Sequence, residues 1–281
     1  MTGASGASYG RRVREATDAR GRFCAGIDPH PGLLAAWGLT DDVGGLETFA
    51  LLAAEVLGAE AAVVKPQSAF FERHGSRGVA VLERTIATIR EAGALCLLDV
   101  KRGDIGSTMA AYADAYVDPA SPLSADAVTL SPYLGYESLR PIVDLATKHG
   151  RGVYVLTLTS NPEGGQVQRA TAVDGRAVAT EMARCAARDN AGCEPLGSVG
   201  LVVGATVGLA VAELGVDLAV VNGSLLAPGV GAQGGTAADL RRVFGAAMDA
   251  VLPSSSREIL AAGPDRRALR DAVHRAIDEF A

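Results

Sequence analysis

The chain has 281 residues, of which 48% are hydrophobic, and it carries a formal net charge of −6. It is longer than the usual domain of about 100 to 200 residues, but single α/β barrels commonly reach about 250. The negative charge argues against nucleic acid as a general partner, and no apolar run reaches the roughly 18 residues of a membrane helix. We therefore expect neither a nucleic-acid nor a membrane partner.

The amino-terminal segment is small and polar, and three arginines follow it without the apolar core of a secretory signal. We expect residues 1–10 to be a disordered lead-in, and residues 11–281 to form one folded domain of a cytoplasmic protein. The four cysteines show no metal-ligand spacing. Cys24 and Cys96 lie in predicted strands, where a buried thiol is the ordinary explanation, so we assign them no chemistry.

Short apolar runs alternate with helical patterns along the chain, which predicts a (β/α)8 barrel in a single domain. An open doubly wound sheet is the alternative, but it would usually carry a glycine fingerprint after the first strand, where this chain has IDPHP. The predicted strands are Phe23 to Ile27, Ala61 to Val64, Leu95 to Leu98, Ala127 to Leu130, Val153 to Leu158, Val199 to Val203, Leu225 to Leu226 and Asp249 to Leu252. The predicted helices are 46–57, 79–91, 109–116, 137–148, 177–188 and 264–280. The polar loop from Thr159 to Gln168 is long enough to predict a mobile lid.

The third predicted strand ends in charged residues. Asp99 and Lys101 are two residues apart, and since side chains alternate along a strand, both should project to the same side. Asp104 follows in a turn, and Ser107 or Thr108 is expected to cap the next helix. A structural ion pair beside a solvated turn aspartate is the alternative explanation.

Other predicted strands end in residues of the same kind. Active sites of such barrels lie at the carboxyl ends of the strands, so residues that are distant in sequence converge there. The residues predicted at this rim are Asp28, Lys65, Asp99, Lys101 and Ser160.

The glycine-rich stretch GVGAQGG, residues 229–235, follows the seventh predicted strand. Glycine loops let backbone N–H groups approach an anion closely, although a simple tight turn is the alternative. Arg257 follows the eighth strand and can supply a forked, charge-assisted contact. Because the loops after strands seven and eight often hold a phosphate in this fold, we favour phosphate binding.

A divalent-metal site is a second interpretation of the charged rim. Asp28 and Asp99 are eligible magnesium ligands, but protonated lysines beside them oppose a cation. The histidines show no paired ligand spacing, so we expect surface histidines and no metal site. The chain also lacks a nucleophile elbow, since Ser160 has no flanking glycines.

Asp99-Val100-Lys101-Arg102-Gly103-Asp104 matches the D-x-K-x-x-D signature, and the chain resembles the orotidine 5'-phosphate decarboxylase family. The stretches FCAGIDP, VVKPQSAFFERHGSRG, TLSPYLG, LTSNP, VVGAT and PGVGAQGG resemble the longer bacterial branch of that family, in order over residues 23–257. The resemblance implies decarboxylation of orotidine 5'-phosphate to UMP, the last step of de novo pyrimidine nucleotide synthesis. It implies no cofactor, and a homodimer whose subunits share their active sites.

The resemblance also implies residue roles. Lys101 is the expected proton donor to C6 of the pyrimidine, in a charge network completed by Lys65, Asp99 and Asp104. Asp104, with Thr108, is expected to complete the partner's site. The expected substrate contacts are Asp28 to the ribose, Ser160 to the base, Gln233 and Arg257 to the phosphate, and Pro228 in the same closing loop.

Two rival functions remain open at this point. A magnesium-dependent sugar-phosphate decarboxylase or aldolase shares the signature, but it carries a further acidic ligand before it, where this chain has Leu97 and Leu98. A catalytically silent phosphate-ligand sensor on the same barrel is the second rival, and the intact charged set opposes it.

Overall fold

The apolar runs of the sequence form eight parallel strands, which close into a barrel in the order of the chain. The computed structural model describes residues 7–231 and 234–280. The last strand pairs in parallel with the first, and this pairing closes the barrel. The strands are β1 Cys24–Ile27, β2 Val63–Pro66, β3 Leu95–Arg102, β4 Ala127–Leu130, β5 Gly152–Leu158, β6 Gly197–Val203, β7 Gly223–Pro228 and β8 Val251–Ser255. The predicted (β/α)8 fold is confirmed.

Helices cover the outside of the barrel, and the longer ones bury one apolar stripe against it. In α5, for example, Val81, Leu82, Ile86 and Ile89 are buried. Among the described helices, none is both long and apolar enough to cross a membrane. The α-helices are α1 Tyr9–Arg20, α2 Pro31–Ala36, α3 Val43–Glu60, α4 Ala69–Glu72, α5 Gly75–Glu91, α6 Gly106–Tyr116, α7 Arg140–Lys148, α8 Gly165–Gln168, α9 Val178–Asp189, α10 Ala210–Glu213, α11 Ala237–Phe244, α12 Arg257–Leu260 and α13 Arg266–Phe280.

Some boundaries differ from the predicted ones. β8 begins at Val251 rather than Asp249, because Gly245–Ala250 forms a 3₁₀ helix. The predicted caps of α6 are wrong: the helix begins at Gly106, whose φ of 54° completes the turn out of β3, so Ser107 and Thr108 already lie inside it.

α1 was not predicted, because its many charged residues hide a small apolar face. Tyr9 is buried at 1% exposure, and its hydroxyl lies 3.0 Å from that of Tyr154 in β5. Arg12 donates to Asp126, just before β4, at 2.7 Å. The predicted lead-in over residues 1–10 is therefore wrong for Tyr9 and Gly10, which are helical and buried; residues 1–6 lie outside the described chain.

The barrel interior and the space between strands and helices hold two separate apolar cores. Each strand sends at least one side chain to the interior core, which α1 closes from the amino-terminal end of the strands. Cys24 lies in the interior core and Cys96 in the outer one, both fully buried as predicted. Burial raises the pKa of the Cys24 thiol to about 12, which keeps it protonated and unreactive. With the opposite end filled, the polar rim at the carboxyl ends of the strands is left for a ligand.

Candidate active site

Lys65, Asp99 and Lys101 meet at the carboxyl ends of β2 and β3. The Lys101 ammonium lies 2.6 Å and 2.7 Å from the two carboxylate oxygens of Asp99. Lys65 Nζ lies 3.3 Å from Asp99 Oδ2. Asp99 and Lys65 are buried, whereas 44% of the Lys101 side chain is exposed at the mouth of the barrel. The cluster therefore presents one ammonium group to a ligand and keeps its counter-charges below the surface.

The Lys101 backbone adopts a conformation that regular strand alternation did not predict. Its φ is 46°, in the left-handed region that residues other than glycine seldom adopt. Such a conformation costs about 1 to 3 kcal/mol and persists only where the surroundings enforce it. The side chains of Lys101 and Asp99 do meet, as predicted. They meet because the strand bends at Lys101, and not through regular alternation.

Opposite charges fix the protonation states in the buried part of the cluster. Burial raises the pKa of Asp99, but Lys65 and Lys101 outweigh burial and hold that pKa below its usual range. Burial likewise lowers the pKa of Lys65, and Asp99 and Asp28 outweigh it and raise the pKa. Both groups are therefore charged at neutral pH.

We expect Asp99→Asn to lower the free energy of unfolding by about 3 kcal/mol near neutral pH, since it removes the carboxylate that pairs directly with the buried Lys65 ammonium. The folded-state pKa of Asp99 is depressed below the unfolded value of about 3.9. Its stabilising contribution is therefore complete above that value and is lost as the pH falls through the folded-state pKa. Urea titrations at several pH values should show the difference from wild type shrinking below about pH 5. A difference that grows on acidification would contradict this origin.

Asp104 and Thr108 do not reach the cluster within one chain. Asp104 Oδ1 accepts a hydrogen bond from the N–H of Ile105 at 2.8 Å, so the carboxylate is held in its own turn. Among the described residues, no ion pair joins Asp104 to Lys101 or to any other cation. Thr108 is exposed on α6, next to this turn.

A small polar cavity of about 60 Å³ lies between the ends of β1, β7 and β8. Asp28, Lys65, Pro228, Ser256 and Arg257 line it, so Lys65 joins it to the charged cluster. Within the described chain, Asp28 Oδ1 and Ser256 Oγ are buried without a hydrogen-bond partner. The hydroxyl groups of a ligand can form the missing hydrogen bonds with such atoms. Arg257 supplies a positive charge that attracts an anionic group of the ligand. Gln233 lies outside the described residues.

Ser160 lies in the loop after β5 and does not line the cavity that holds Asp28. It lines a separate cavity of about 320 Å³ with Thr159 and Thr206.

The predicted lid over this region contains a 3₁₀ turn and α8, and the Gln168 side chain accepts a hydrogen bond from the Thr159 N–H at 2.9 Å. A wider, mostly apolar cavity of about 500 Å³ lies on the other side of that loop. Mobility of the lid stays a prediction.

Two residues of the cluster were missed in the sequence. Gln67 continues β2 and donates from Nε2 to Asp99 Oδ2 at 2.7 Å. Thr129 of β4 donates its hydroxyl to Asp99 Oδ1, also at 2.7 Å. Gln67 follows Lys65 at the spacing of alternating side chains, and Thr129 is the polar residue of an otherwise apolar strand. Both signals are present in the sequence, but neither residue was predicted to belong to the site.

The model of the Orotidine 5'-phosphate decarboxylase / HUMPS family matches residues 21–272. The orotidine 5'-phosphate decarboxylase of Salinispora arenicola is 64% identical over 270 residues, 96% of each chain. That of Streptomyces coelicolor is 59% identical over 268 residues, 95% of each chain. The crystal structure of a Streptomyces avermitilis relative, 58% identical, superimposes with a TM-score of 0.95, covering 100% of this chain and 97% of the other.

Proposed function

This chain belongs to the orotidine 5'-phosphate decarboxylase / HUMPS family, and we propose that it converts orotidine 5'-phosphate to UMP and carbon dioxide. One relative of that name is 64% identical over almost the whole length of both chains. We assign this activity to the barrel mouth because the exposed Lys101 ammonium is paired there with buried Asp99. The enzyme is a carboxy-lyase of pyrimidine nucleotide synthesis.

The chemistry requires localised charge to be stabilised. When the bond between C6 and the carboxylate breaks, its electron pair stays on C6 in the plane of the ring, where no π-system delocalises it. The Lys101 ammonium stabilises this carbanion electrostatically and then transfers a proton to C6, and water reprotonates the lysine. Asp99 keeps the ammonium charged and oriented. No cofactor takes part in these steps.

The remaining residues hold the nucleotide. We assign Asp28 to the ribose, because its buried Oδ1 has no partner within the described chain and accepts a hydroxyl donor. Arg257, with Gln233, binds the phosphate, and Pro228 shapes the loop that closes over it. Ser160 contacts the base from the loop after β5.

We expect Arg257→Ala to raise the KM for orotidine 5'-phosphate by about 100-fold, since a charge-assisted contact to phosphate contributes about 3 kcal/mol. The change in kcat should be small, because Arg257 lies in the phosphate cavity rather than at Lys101. Steady-state assays check this, with Arg267→Ala on the exposed face of α13 as the matched control. A fall in kcat with unchanged KM would contradict phosphate binding by Arg257.

We assign the working form to a homodimer in which Asp104 and Thr108 complete the partner's site. Within one chain, Asp104 has no cationic partner among the described residues. The loops after β3 and β4 are in contact, since the N–H of Ser131 donates to the carbonyl of Arg102 at 2.8 Å. Both loops carry exposed apolar side chains, namely Ile105, Tyr133 and Leu134. Such a patch beside an incomplete charge network suits a second copy of the chain.

The direct test is loss of orotidine 5'-phosphate absorbance with the purified protein, before and after treatment with EDTA. We expect turnover that EDTA does not reduce. A protein that does not decarboxylate this nucleotide, but cleaves sugar phosphates when magnesium is added, would instead be a magnesium-dependent sugar-phosphate decarboxylase or aldolase. We place the enzyme in the cytoplasm, which suits its four free cysteines.

A further inference from the structure

The pairing between β3 and β4 is interrupted at the catalytic lysine. Leu98 is paired with Val128, and the next regular pair is Arg102 with Leu130. Asp99, Val100 and Lys101 therefore face a single residue of β4, Thr129. Extra residues in one strand leave backbone groups without ladder partners and re-aim the side chains that follow.

The Thr129 side chain takes the place of the missing backbone partners. Its Oγ1 accepts hydrogen bonds from the N–H groups of Val100, at 3.1 Å, and Lys101, at 3.0 Å. The same hydroxyl donates its proton to Asp99 Oδ1. Thr129 is 1% exposed, and β-branching restricts its rotation, so this oxygen is held at one place.

We propose that Thr129 is a positioning residue whose hydroxyl holds Lys101 in its left-handed backbone conformation and fixes the carboxylate that pairs with the ammonium. It touches neither substrate nor the reacting atoms and acts through Lys101 and Asp99. The inference rests on the proposed function, because it concerns the aim of the proton donor at C6. A displacement of about 1 Å in a catalytic group lowers rates by about 100-fold.

The test compares Thr129→Val, which keeps the shape and removes the hydroxyl, with Thr129→Ser, which keeps the hydroxyl. We expect Thr129→Val to lower kcat by about 100-fold with KM within about threefold of wild type, since the groups around the phosphate are unchanged. Thr129→Ser should retain kcat within about fivefold. Thr85→Val is the matched control, because Thr85 is also fully buried but bonds only within α5.

Amide hydrogen exchange supplies a readout that does not depend on turnover. The amides of Val100 and Lys101 should exchange at least about tenfold faster in Thr129→Val and stay protected in Thr129→Ser. Thr129→Ala provides the same comparison if Thr129→Val does not fold. Unchanged kcat in folded Thr129→Val, or equal losses in the Val and Ser variants, would overturn the proposal. A wild-type protein without decarboxylase activity would refute the proposed function instead, and exchange would still decide whether Thr129 holds these amides.

Discussion

Lys101→Ala is expected to lower kcat for orotidine 5'-phosphate by about 10⁵-fold or more, because in the proposed mechanism one group both stabilises the carbanion and protonates it. General acid catalysis contributes about 10² to 10⁴, and an aimed electrostatic donor about 10² to 10³. Because the proposed phosphate and ribose contacts lie elsewhere, substrate binding should weaken much less than turnover. Stopped assays at high enzyme concentration, with UMP as the product detected, measure the residual rate.

Arg102→Ala is the control for a charge lost from the same segment. Arg102 is paired with Glu72 at 2.6 Å and lies on the α6 side of the strand end, over the rings of Tyr112 and Tyr116. We expect it to retain far more activity than Lys101→Ala. Similar, modest losses of kcat in both variants would mean that Lys101 contributes only general positive charge.

The second large effect is recovery of activity on mixing two inactive variants. Lys101→Ala and Asp104→Asn subunits should each be nearly inactive as homodimers. If the active sites are shared as proposed, one site of a mixed dimer receives Lys101 from one chain and Asp104 from the other, so it is intact. With random exchange of equal amounts, half of the dimers are mixed and each has one intact site of two, which predicts about a quarter of wild-type activity.

The control for this recovery is a chain that carries both substitutions. Mixing it with Lys101→Ala provides no intact combination of Lys101 and Asp104, so no activity should return. Subunit exchange is confirmed independently, with differently tagged chains isolated together. Full exchange without recovery would contradict a shared site and would place Asp104 in the network of its own chain.

The barrel was predictable because eight apolar runs follow one another along the chain with helical patterns between most of them, and a strand buried on both faces has a continuous apolar sequence. The helix α1 was not predictable from the sequence, because only a few of its side chains pack against the barrel. Tyr9 contacts β5 and Gly10 lies against the start of β6, so these contacts exist only in the folded barrel. Periodicity within a short charged segment carries no information about that contact.

The charged cluster was predictable for a different reason. Carboxyl ends of parallel strands share one rim, so Lys65, Asp99 and Lys101 had to converge there once the fold was assigned. Alternation alone did not predict the bend at Lys101 or the role of Thr129, because both depend on how many residues of β3 face each residue of β4. That register is a tertiary property, set by packing around the whole barrel.

The most direct measurement is a crystal structure of the protein with bound UMP, which carries a hydrogen at C6 in place of the carboxylate. We predict Lys101 Nζ within about 3.5 Å of C6, close to in-plane with the ring, with the partner subunit's carboxylate beside it. A nucleotide bound with C6 turned away from Lys101, or an ammonium directed into solvent, would contradict it.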